Sequence, residues 1–175
     1  MTERFTDPWV EYFMNIADAV SLKSKDEGTK VGALIVGPDH QIVSTGFNGF
    51  PRGVKHDVLQ VPGMIDRMSR PGKYAFTAHA EANAIYQAAR HGICTSGCHL
   101  FVNSMPPCCE CAKAIIQAGI VMVYSAPPDK GHPTYDTWKD SYQVARIMLA
   151  EAGIRLFYAT CRYNRAQSVE VEEAK

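Results

Sequence analysis

From residue 79 onward the chain is written as an alternation of helices and short apolar runs. "AHAEANAIYQAARHG" is an alanine-rich helix stopped at Gly92, and "HLFVN" follows as a strand. "CCECAKAIIQAG" is a second helix stopped at Gly119, followed by "IVMVYS" as a strand. "TYDTWKDSYQVARIMLAEAG" is a third helix stopped at Gly153, and "IRLFYA" is a last short strand. Upstream, "KVGALIVG" and "QIVSTGF" flank the turn signal "GPDH" and read as an antiparallel hairpin. Trp9, Tyr12, Phe13, Ile16 and Val20 recur at spacings of three and four behind Asp7 and Pro8, giving an amphipathic first helix over about 8–22. The expectation is an α/β fold with a mixed sheet of about five strands, helices on its faces and sites at strand-to-helix junctions.

A chain of 175 residues with no repeat and no linker between two cores reads as one domain over 1–175. Its core spans about 8–158, with a polar tail over 159–175. Residues 48–73 are broken by Pro and Gly every few positions, and a loop that long in a compact domain is usually functional. Eighteen Lys plus Arg balance eighteen Asp plus Glu, so no global positive field draws nucleic acid or an anionic membrane. The start lacks the basic, apolar and cleavage segments of a signal peptide, and no apolar run reaches membrane-spanning length. A reducing, cytoplasmic setting is expected, in which six cysteines are metal ligands or buried thiols rather than a disulfide framework.

The chemistry concentrates in "MPPCCECAKAI". Cys108 and Cys111 have the CxxC spacing on a turn entering a helix, where backbone N–H groups favour thiolates. Soft thiolates select zinc, which takes four ligands in a tetrahedron. His79 of "HAE" is the candidate third ligand, Glu81 shares the cavity without being a ligand, and water would fill the fourth position of a catalytic site. A redox pair or a purely structural zinc site is the alternative for the two cysteines. Cys109 is a spacer, and Cys161 an ordinary thiol.

"HAEANAI" together with "PCCECAKAIIQAGI" resembles the zinc-dependent cytidine and deoxycytidylate deaminase superfamily, and most closely its deoxycytidylate deaminases; HxE followed by PCxxC is the signature of zinc deaminases. The likeness runs from about residue 10 to 158 and includes "GFNG", with Phe47 where the family usually has Tyr. It implies the three-layer α/β/α cytidine deaminase-like fold. It also implies hydrolysis of dCMP to dUMP and ammonia for thymidylate synthesis, with 5-substituted dCMP as a variant substrate. Zinc would activate the water, and Glu81 would carry the proton to N3 and then to the departing amine. By the same resemblance Asn48 contacts the sugar, Lys23, Ser24 and Lys25 bind the phosphate, and Tyr135 and Arg90 complete the substrate site. Gly46, Asn48, Gly49 and Arg52 occupy the region where relatives bind dCTP or dTTP effectors with Mg2+, and a homohexamer is the assembly implied. The competing readings are a deaminase of another base (guanine, a free nucleoside or an RNA base) and a noncatalytic zinc-stabilised interaction domain.

Overall fold

The computed structural model of the protein describes residues 7–55, 66–67, 69, 72–159 and 171–174. Cys161, residues 160–170 of the expected tail and residues 56–65 of the expected loop lie outside them. The first helix, α1, spans Asp7–Ser21, followed by the hairpin β1 (Gly32–Val36) and β2 (Ile42–Phe47). A short helix α2 (Gly72–Phe76) leads into α3 (Ala80–Arg90), β3 (His99–Val102), α4 (Cys109–Gln117) and β4 (Met122–Ser125). The chain then builds α5 (Tyr135–Glu151), β5 (Arg155–Ala159) and β6 (Val171–Glu173).

The strands form one mixed sheet in the order β2-β1-β3-β4-β5-β6. β3, β4 and β5 run parallel to one another, because α4 and α5 carry the chain from each to the next, while β1 meets both β2 and β3 antiparallel. The two-residue period of the strands then divides the core. Leu34, Val36, Phe101, Tyr124 and Phe157 pack against Val10, Phe13, Met14 and Ala17 of α1. Ala33, Ile35, Leu100, Val102, Val123 and Leu156 pack on the other face, with Ala80, Ala84, Cys111, Ile115, Ala145 and Leu149 from α3, α4 and α5. Coverage on both sides explains why β1, β3 and β4 are wholly buried and mostly apolar rather than alternating.

The five expected strands are present, and a sixth lies in the stretch read as a tail: β6 pairs antiparallel with β5. "VEE" carries no apolar run, so backbone pairing rather than side-chain pattern makes it a strand. Helix α2 was hidden for the opposite reason, since its Gly72 and the preceding Pro71 look like loop punctuation.

One buried polar group on the α1 side sets an acid limit. His99 is fully buried at the start of β3, beside the Tyr124 ring at 6.0 Å. Burial pushes its pKa down to about 4, with Arg155 and His40 adding to the effect. The unfolded chain takes up a proton below about pH 6.5 that the folded chain refuses until about pH 4, so stability falls across that interval as pH drops. Urea melts are expected to lose roughly 2 kcal/mol between pH 7 and pH 5 through this group, a loss that His99→Phe should remove. An unchanged pH dependence in that variant would show that His99 does not set it.

Candidate active site

Two helix starts meet on the α3 and α4 side of the sheet. His79 precedes α3 in an extended conformation, φ −73° and ψ 157°, and Cys108 precedes α4 in the same way, φ −72° and ψ 169°. The first is placed by a two-way backbone pairing of Ala78 with Gly49, which ties the "GFNG" loop to the "HAE" segment. The second follows from β3 through Ser104–Pro107, whose prolines deliver an extended backbone into the turn. Behind them Gly46 faces the backbone of Ala80 and Ala84, where a Cβ would overlap it. Gly46, nominated for an effector, is therefore the close-packing point of β2 on α3.

The imidazole Nδ1 of His79 lies 3.4 Å from Cys108 Sγ and 3.5 Å from Cys111 Sγ. All the ligating atoms of these three residues fall within 4.8 Å of one another. Tetrahedral zinc with bonds of about 2.3 Å to sulfur and 2.0 Å to nitrogen needs sulfur–nitrogen separations of about 3.5 Å, so the donor set fits the ion. Cys109 turns its sulfur toward Glu110 instead, and its backbone N–H donates to Ser141 Oγ at 2.9 Å.

Protonation within the cluster is uneven. Cys111 and His79 hydrogen-bond to Cys108 and draw its thiol down to about 4 against the effect of burial. The Cys108 hydrogen bond holds His79 up to about 9. The same hydrogen bond to Cys108, with burial and the nearby Glu81 charge, pushes Cys111 well up. An incoming cation therefore replaces protons on His79 and Cys111, whereas Cys108 is already a thiolate. Glu81 is buried in the first turn of α3, and burial pushes its carboxyl up while the His79 charge pulls it back. A carboxyl held in that balance suits proton transfer in both directions.

A cavity of about 110 Å³ opens over this cluster. One side is aromatic: Trp138 of α5 stands edge-on to the His79 ring at 5.4 Å and to the Tyr74 ring at 5.3 Å, and Tyr142 lies one turn further along α5. Burial, with Glu81 adding to it, pushes the Tyr142 phenol up, keeping it a neutral donor. Planar walls of this kind accept a planar ring.

The family model that describes the cytidine and deoxycytidylate deaminase zinc-binding region matches residues 7–126. The chain belongs to that family. It is 36% identical to mouse deoxycytidylate deaminase over 90% of this chain and 83% of the relative, and 38% identical to the human deoxycytidylate deaminase over 87% and 82%. The fold superposes on the dCMP deaminase of cyanophage S-TIM5, solved in complex with dCMP and dUMP, with a TM-score of 0.65 and 27% identity over 87% of this chain and 98% of that one. Membership makes the three-ligand cluster part of a zinc-binding deaminase domain. Among the described residues no helix is long and apolar enough to cross a membrane.

The other residues nominated from sequence are distributed differently. Asn48 is on the cavity wall, but its carboxamide also braces the loop: Oδ1 accepts from Val31 N at 2.8 Å and Nδ2 donates to Thr29 O at 2.9 Å. Ser24 is buried beneath it, donating to Asn48 O at 2.9 Å, and supports the deaminase cavity without lining it. Lys23 and Lys25 are exposed and off this cavity. Arg90 ends α3, about 16 Å along the axis from His79, and is exposed. Tyr135 lines a neighbouring cavity of about 200 Å³ with Lys139 and Arg146. Arg52 donates to Gln87 on the α3 surface. Sequence reading missed Lys73, Tyr74, Trp138 and Tyr142, all on the cavity wall. The one usable signal was the i, i+4 aromatic pair of α5, which looks like an ordinary core stripe.

Proposed function

We propose that the protein hydrolyses the 4-amino group of dCMP, giving dUMP and ammonia, with His79, Cys108 and Cys111 as zinc ligands and Glu81 as the proton carrier. The observation that carries this reading is a buried carboxyl two residues from one member of a three-ligand cluster, at the foot of a cavity walled by aromatic rings. Zinc bound by these groups supplies the acidity that makes a water nucleophilic near neutral pH. Glu81 takes one proton from the water and passes it to ring N3, then takes the second from the oxygen that has joined C4 and gives it to the amine as the C–N bond breaks. Trp138 and Tyr74 orient the ring and keep bulk water off it. A noncatalytic interaction domain would have no use for Glu81, which binds no metal in this arrangement.

Supply of dUMP to thymidylate synthesis, tolerance of a 5-substituent and a cytoplasmic place extend the same reading. So do a homohexamer and control by dCTP and dTTP with Mg2+, for which Asn48, Gly49 and Arg52 are the loop residues concerned.

A substrate panel tests it. With zinc-loaded protein, loss of the cytosine chromophore is expected to be fastest for dCMP, slower for CMP and slowest for deoxycytidine, with guanine unchanged in its own assay. Equal rates on deoxycytidine and dCMP would remove the nucleotide from the reading, and turnover of guanine alone would replace it.

A further inference from the structure

The deaminase cavity has an anion partner that the phosphate expectation overlooked. Among the described residues on its wall, Lys73 of α2 is the one lysine or arginine. Its side chain is 19% exposed, and its Nζ lies 2.7 Å from Asp26 Oδ1 and 2.6 Å from Oδ2. Asp26 is the more deeply placed partner, 8% exposed, and its Oδ1 also accepts from Gly28 N at 2.9 Å and Thr29 N at 3.0 Å. Asn48 Nδ2 stands 3.4 Å from its Oδ2. Burial pushes the Asp26 carboxyl up, but Lys73 and the two backbone donors outweigh it and hold the pKa low. The carboxylate thus stays ionised, and fixes the ammonium, without depending on Lys73 alone.

Lys73 also looks outward. Asp26, Lys73 and Thr77 line both the catalytic cavity and an adjoining one of about 260 Å³, where Lys25 and Arg67 add positive charge and Glu27 opposes it. Arg67 is itself held there, its guanidinium 4.8 Å from the centre of the Phe76 ring. Nζ has three N–H donors and Asp26 provides two oxygens, leaving one donor direction for a ligand. Trp138, the His79 and Cys108 side chains and Lys73 all line the one cavity, so a ring seated against Trp138 shares that enclosure with the ammonium.

We propose that Lys73, positioned by Asp26, binds the 5′-phosphate of the substrate and so makes the enzyme select a nucleotide over a nucleoside. This rests on the reading of the substrate as dCMP. Lys23 has no such role, being exposed and away from both cavities. A purely structural pair, pinning α2 to the 26–29 loop, would affect every substrate alike.

The test compares kcat/KM for dCMP and deoxycytidine in zinc-loaded wild type, Lys73→Met, Lys73→Gln and Lys23→Met, with zinc content measured for each. The glutamine variant, one bond shorter than lysine, keeps an N–H donor for Asp26 without the charge, and so covers the case in which methionine does not fold. Loss of one charge-assisted contact is expected to lower kcat/KM for dCMP about 30-fold through KM, leave deoxycytidine within about threefold, and leave Lys23→Met like wild type. A Lys73 variant that keeps the wild-type ratio of the two substrates, or loses both equally, overturns the assignment. A wild type that does not distinguish the substrates overturns the dCMP reading itself, which is a separate result.

Discussion

Glu81→Gln is expected to keep its zinc and lose about two to four powers of ten in kcat, the range that a positioned acid–base group supplies. The substitution preserves size and the start of α3, and the residue is not one of the three clustered ligands. What it would remove, on the proposed mechanism, is the group that accepts a proton from water and gives it up again to the ring and the amine. KM for dCMP should move little, because an amide still fills the same buried place. Metal analysis beside steady-state kinetics checks it: full zinc with an unchanged rate would take Glu81 out of the mechanism, and lost zinc would make it a ligand.

The second large effect is on the metal. Cys108→Ser is expected to weaken zinc binding by about a thousandfold, since one ligand carries on the order of a quarter to a third of a site worth about 10–16 kcal/mol. Cys108 is the informative choice because its thiol is drawn down to about 4 and is already the anionic member of the trio. Activity should return only at high added zinc. Cys109→Ser, one position on, should hold zinc and turn over dCMP as wild type does, because its sulfur faces Glu110. Competition against a chromogenic chelator separates the two variants, and equal weakening in both would redraw the ligand set.

The parts of this site that could be read from sequence are those whose geometry is local. CxxC at a helix start and HxE at another place their atoms within a turn, whatever the rest of the chain does. Both helices, their glycine stops and the five apolar strands follow from periodicity in the same way. Lys73, Trp138 and Tyr142 reach the cavity only because α2 and α5 are folded against the HAE and CxxC segments, and nothing within a few residues of them distinguishes this from a core stripe or a surface charge. Lys23 and Lys25 came from the resemblance rather than from a local pattern: both are exposed and off the catalytic cavity, and Lys25 lines the adjoining one. β6 lacked a side-chain pattern altogether.

His79 and Glu81 sit two residues apart at one end of α3, while Cys108 and Cys111 belong to the start of α4. The proposed proton carrier and the proposed histidine ligand consequently move as a single rigid body, and so do the two sulfurs. The mechanical freedom that matters is the distance between two helix ends, about which the 3.4 Å and 3.5 Å nitrogen–sulfur separations are the gauge. Mutations anywhere that shift α3 against α4, through Gly46 beneath α3 or Ile115 on the buried face of α4, should detune catalysis without touching a single reacting group.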